Sequence, residues 1–163
     1  MTRHAARILA AIAIAAGILL PATAALAKSF WISAADVTIV VNDDGSLAVT
    51  EKVTFDFSGS FTGAYRDIPL RQGETIHDVV VSDASGSYEQ GGCTQLGCFS
   101  PAGTYGVVEF PTFVRIVWHH ASTDRLATFD VAYTMNGVAI AYDDVVDVNV
   151  QVWGDQWAVG VDT

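Results

Sequence analysis

Beyond residue 28, apolar side chains recur at every second position, with no sustained 3.6-residue repeat, and this commits the chain to β-structure. Val37, Ile39 and Val41 alternate with Asp36, Thr38 and Val40, and Asp43-Asp44-Gly45-Ser46 then supplies a turn. In the run that follows, Leu47, Val49, Val53, Phe55 and Phe57 share one face, while Ser46, Ala48, Thr50, Lys52, Thr54 and Asp56 share the other. Two alternating runs about a Gly turn predict a β-hairpin. Residues 58–71 read as irregular, punctuated by Gly59, Gly63 and Pro69, and residues 76–82 as a strand. Residues 83–106 form a Ser- and Gly-rich excursion with short strands at best. Val114, Ile116 and Trp118 then alternate with Arg115, Val117 and His119, and Phe129, Val131, Tyr133 and Met135 with Thr128, Asp130, Ala132 and Thr134. Asn136-Gly137 predicts a tight hairpin, because both central positions of that turn favour positive φ, with Val138 and Ile140 on the return strand. Val146, Val148, Val150 and Val152 carry a last run. Seven or so short strands with frequent turns predict an all-β fold, an antiparallel two-sheet sandwich of immunoglobulin-like build.

The first 27 residues are different in kind. Arg3, His4 and Arg7 precede an uncharged run over residues 8–20, Pro21 breaks it, and Ala25-Leu26-Ala27 offers the small residues that a signal peptidase reads. The run is shorter than the roughly 20 residues a bilayer span needs. Residues 1–27 are therefore read as a cleaved secretory leader, with an uncleaved anchor as the alternative. Residues 28–163 are read as one extracytoplasmic domain. The chain stops at Trp157-Ala158-Val159-Gly160-Val161, where another strand begins, so a domain truncated at its C-terminus is part of the expectation.

The chain has eight Lys and Arg against 18 Asp and Glu; two of the arginines lie in the leader, which leaves six cations for the mature domain. Such an acidic domain repels nucleic acid and anionic membrane surfaces. Cys93 and Cys98 are the two cysteines of the chain. In an exported protein such a pair reads as a disulfide. With no second cysteine pair and no His close by in sequence, a zinc site lacks ligands.

Several segments resemble a known family in the same order. Asp44-Gly45-Ser46-Leu47-Ala48-Val49-Thr50-Glu51 opens a strand ending in Phe55-Asp56-Phe57, and Gly63-Ala64-Tyr65-Arg66-Asp67-Ile68-Pro69 follows. Tyr142-Asp143-Asp144 and Trp153-Gly154-Asp155-Gln156-Trp157 come near the end. Together they resemble the N-terminal region of the domain of unknown function 2207 family of bacterial predicted membrane proteins. The resemblance implies a signal peptide, an extracytoplasmic β-rich region and, downstream, membrane-spanning helices that this sequence lacks. It implies no activity.

Glu51 breaks the alternation, falling on the apolar face of Val49, Val53 and Phe55, where an unpaired carboxylate is costly. Arg66 is the nearest partner in sequence among the scarce cations, and its planar fork suits a carboxylate, so a structural ion pair Glu51–Arg66 is expected. His119 and His120 are adjacent on a strand, point to opposite faces and are read as surface or capping groups. Asp143, Asp144 and Asp147 crowd one turn as weak calcium candidates without the spacing of a calcium loop. No nucleophile elbow or cofactor motif is present, so neither an enzyme nor a cofactor is expected. The expected role is a non-catalytic interaction or structural module of the bacterial cell envelope. Its partner would be an envelope protein or polysaccharide, and it would meet the membrane only through an uncleaved leader or a missing downstream segment. A carbohydrate-binding module using Trp31, Tyr65, Tyr88, Tyr105, Trp153 and Trp157 is the alternative, and an envelope hydrolase the third reading.

Overall fold

The computed structural model describes residues 27–152. The leader expected over residues 1–27 lies outside them apart from Ala27, as does the strand expected from Trp157. The described residues contain no helix. Nine strands follow in order: β1 (Ser29–Val41), β2 (Leu47–Pro69), β3 (Thr75–Asp83), β4 (Gly86–Ser87), β5 (Glu89–Gln90), β6 (Thr104–Phe110), β7 (Phe113–Asn136), β8 (Ala139–Ala141) and β9 (Val146–Val148). The hairpin expected at Asp43-Asp44-Gly45-Ser46 joins β1 to β2, with Val41 opposite Leu47.

Two strands organise everything else. β2 and β7 pair antiparallel from Leu47↔Met135 to Pro69↔Phe113, with register shifts between Phe57 and Ser60 and between Phe61 and Gly63. Residues 58–69, expected to be irregular, are the second half of β2. Gly59 sits at φ +90° and Asp124 of β7 at φ +46°, and the Gly59 N–H donates to Asp124 Oδ1 at 2.6 Å. The two strands thus bend together, and the glycines that read as strand breakers supply bulges instead.

On one side of the bend β1 flanks β2 and β3 flanks β7; on the other β6 flanks β7. The result is one seven-stranded sheet, antiparallel but for the short parallel β5–β6 pair, plus the two-stranded β8–β9 ribbon. The two layers expected as separate sheets are, for the main body, halves of one bent sheet facing each other across a core. Trp118, beyond the bend, packs on Phe55 and Phe129 before it, with ring centroids 6.4 and 5.7 Å apart. The Tyr105 hydroxyl of β6 also donates to the Val79 carbonyl of β3 at 2.6 Å.

The bend changes which residues point inward. Up to Phe57 the buried positions of β2 are odd (Leu47, Val49, Glu51, Val53, Phe55, Phe57); beyond it they are even (Arg66, Ile68). In β7 the same exchange runs from Val114, Ile116 and Trp118 to Ala127, Phe129 and Val131. An extra residue in a strand inverts its alternation, and this places Glu51 and Arg66 on the same interior.

The hairpin expected at Asn136-Gly137 does not form against β7. Gly137 has φ +80°, but β8 leads away and pairs with β9. β7 already carries β2 on one edge (Leu47↔Met135) and β3 on the other (Thr75↔Asn136), so a return strand has no edge to join.

Candidate functional site

The interior polar site is built by the parity change in β2. Glu51 is 1% exposed and Arg66 3% exposed. Arg66 Nε donates to Glu51 Oε2 at 2.8 Å and Nη2 to Oε1 at 3.2 Å, a two-pronged contact, while Nη1 donates to the Asp67 carbonyl at 2.6 Å. Tyr133 of β7 completes the group, its hydroxyl donating to Glu51 Oε1 at 2.9 Å. Burial, reinforced by the Glu51 charge, pushes the Tyr133 hydroxyl far above its ordinary range, so it stays a donor. Tyr133 stands two residues beyond Val131, the residue opposite Glu51, and so shares its face; no sequence signal singles it out. Arg66, Tyr133, Ile68 and Arg71 line a concavity of about 270 Å³. Arg71 is itself held by Glu74 Oε1 at 2.6 Å and by the Asn149 carbonyl at 2.6 Å. The cations at this end are thus engaged by carboxylates and carbonyls of the chain itself.

The second polar group lies beyond the bend. His119 and His120 do point to opposite sides of β7, yet both are buried (3% and 5% exposed), against the surface role expected for them. β7 is central here, with β2 on one edge and β6 on the other, and the disulfide loop and the core cover its two faces. His120 lies against the rings of Phe57 and Phe129, at 5.2 and 4.8 Å, and its Nδ1 is 3.0 Å from Ser122 Oγ. Its Nε2 finds no hydrogen-bond partner among the described residues. Burial, helped by the Arg125 charge, lowers its pKa to about 4. His120, Ser122, Asp83 and Arg125 help line a cleft of about 700 Å³ at the mouth between the two halves. A serine beside a histidine is the start of a nucleophile–base pair, but this imidazole is a weak base, and Asp83 is committed to Ser85 and Tyr88. The cleft thus carries a neutral imidazole hydrogen-bonded to a serine, with the charged groups of Asp83 and Arg125 also in its lining.

His119 meets the cysteines. Cys93 and Cys98 are joined in a disulfide, and His119 Nε2 donates to the Cys93 carbonyl at 2.9 Å with Cys93 Sγ at 3.9 Å. The chain order hid this contact: β6 carries the loop back alongside β7. Gly106 of β6 allows the close approach, since a Cβ there would stand 2.1 Å from the Gly92 carbonyl oxygen. Gly106→Ala is therefore expected to push the loop off β6 and to lower stability by about 2 kcal/mol, read as a shift of the urea midpoint at unchanged slope.

The remaining candidates are dispersed. Asp143, Asp144 and Asp147 are exposed around the β8–β9 ribbon. His77 is exposed and bonded to Asp78 and Asn136. Of the aromatic platform, Tyr88 and Tyr105 are buried, Tyr65 lies under the Arg115 guanidinium at 5.0 Å, Trp31 is 40% exposed, and Trp153 and Trp157 lie outside the described residues. Among the described residues no helix is long and apolar enough to cross a membrane.

The bent sheet, its buried ion pair and its bridged loop define an all-β, disulfide-bonded module. The chain belongs to the family described as the predicted membrane protein (DUF2207) N-terminal domain, which matches residues 31–163. No curated protein and no solved structure matches the chain.

Proposed function

We propose that the mature chain is a non-catalytic extracytoplasmic interaction module of the cell envelope, serving a family of predicted membrane proteins. In this reading residues 1–27 are a cleaved leader and the folded sheet is an immunoglobulin-like sandwich. The observation that carries the interaction role is the edge of β1: thirteen residues long, bordered among the described residues only by β2, and without proline. Natural sheets blunt such edges, and an edge left available is a template for a partner strand. The bridged Cys93–Cys98 pair supports an oxidising compartment. The burial of Tyr88 and Tyr105 weighs against a sugar platform, and the low basicity of His120 against a hydrolase.

The test is crosslinking of mature residues 28–163 to an envelope fraction, beside a variant with Thr38→Lys on the exposed side of β1. Enrichment of one envelope protein that the variant loses is the expected result. Retention of protein-free polysaccharide by both chains would move the role to carbohydrate binding, and turnover of envelope polymers would move it to hydrolysis.

A further inference from the structure

Cys93, Cys98 and His119 bring three metal-ligand atoms within 4.8 Å of one another, and nothing in the buried ion pair or the β1 edge makes use of them. We propose that reduction of the Cys93–Cys98 bridge turns this corner into a site for a zinc-class divalent cation. Two thiolates and His119 Nε2 would bind the metal, with water as the fourth ligand.

Two of the three ligands are held in place independently of the bridge. His119 is fixed within β7, opposite Gly63 of β2 and Thr104 of β6, and is 3% exposed. The Cys93 N–H donates to Ser100 Oγ at 3.0 Å, and the preceding Gly92 N–H donates to the Tyr105 carbonyl at 2.8 Å. Bound to one tetrahedral zinc, a sulfur and an imidazole nitrogen stand roughly 3.5 Å apart. Cys93 Sγ and His119 Nε2 are already 3.9 Å apart.

The third ligand is the one that moves. A disulfide holds its sulfurs about 2 Å apart, and two thiolates on tetrahedral zinc stand roughly 3.8 Å apart. Cys98 follows the exposed residues Gln95, Leu96 and Gly97, and Gly97 at φ +84° gives that stretch its turning point. Thiolate sulfur with imidazole selects zinc over the hard cations that prefer oxygen.

The chemistry balances in two steps. A dithiol reductant gives two electrons and two protons to the bridge, becoming a disulfide itself and leaving two thiols on the protein. The metal then displaces both thiol protons to solvent. His119 shifts its N–H from Nε2, where it now donates to the Cys93 carbonyl, to Nδ1. Bridge and metal are thus alternative occupants of one corner.

The mature chain, reduced with dithiothreitol and freed of it under inert gas, is titrated with Co²⁺ and followed by absorption. One Co²⁺ per chain with tetrahedral ligand-field bands and thiolate charge transfer, displaced by Zn²⁺ and absent from the oxidised protein, is expected. Cys98→Ser, at a half-buried position, and His119→Asn should each weaken binding at least tenfold. Because His119 is buried, the native sequence supplies a second measurement: Zn²⁺ should protect both thiols of the reduced protein from alkylation. Octahedral bands only, binding by the reduced native chain no tighter than by Cys98→Ser, or thiols that Zn²⁺ leaves unprotected would each overturn the site. Undiminished binding by a folded His119→Asn would do the same.

Discussion

Arg66→Met is expected to lower the stability of the folded domain by about 3–5 kcal/mol, because it leaves the Glu51 carboxylate buried with the Tyr133 hydroxyl as its remaining hydrogen-bond donor among the described residues. Most of that cost is the uncompensated charge rather than the worth of the pair. Two charges in the interior have both lost water, and their attraction offsets much of that loss without exceeding it by much. The consequence is a strong coupling. Glu51→Gln alone removes the charge that Arg66 faces on two nitrogens, yet added to Arg66→Met it removes a charge that had become a burden. A double-mutant cycle in urea should therefore return a coupling of about 2 kcal/mol or more, with the double variant more stable than Arg66→Met. Tyr133→Phe deletes one hydrogen bond to a charged acceptor and should cost about 2 kcal/mol. If the Glu51 and Arg66 changes add without coupling, the two side chains do not act as a unit and the loop end of β2 is held by something else.

The same site shows how far the sequence could be read. Glu51 stands out because strict alternation puts it among Val49, Val53 and Phe55, and the scarcity of cations narrows its partner to very few. What alternation cannot supply is the inversion at Gly59 and Asp124. Taken as one regular strand, β2 would send residue 66 to the face opposite residue 51. The glycines at 59 and 63 read as breaks, because the same freedom of φ that ends a strand also permits a bulge inside it. Tyr133 is legible as an inward residue but not as a donor to Glu51, since alternation does not say which group its hydroxyl reaches. The contact between His119 and Cys93 depends on β6 returning beside β7, a pairing that residue spacing leaves undetermined. Asn136-Gly137 failed for a related reason: a hairpin signal describes the turn, while the free edge it needs is a property of the sheet.

His120 makes the stability of the domain depend on pH in the interval between its folded and its ordinary pKa. Its pKa is about 4 in the folded chain against an ordinary 6.5, first because it is buried and then because of the Arg125 charge, with His119 adding slightly; the Gly63 backbone and Asp83 pull the other way. The unfolded chain therefore takes up a proton below pH 6.5 that the folded chain refuses until about pH 4. The stability tied to the neutral imidazole is fully present above pH 6.5 and falls as the pH drops through that interval, by about 3 kcal/mol in all. Urea midpoints measured between pH 7.5 and 4.5 should fall more steeply for the native chain than for His120→Leu. Leucine keeps an apolar contact with Phe57 and Phe129 and has nothing to titrate. The variant loses the contact with Ser122 and is less stable at pH 7.5, so the informative quantity is the slope and not the level. Every other titratable group is shared by the two chains, so the difference in slope isolates His120. Equal slopes would mean that His120 reaches solvent when protonated, and that its place between the two rings does not hold it neutral.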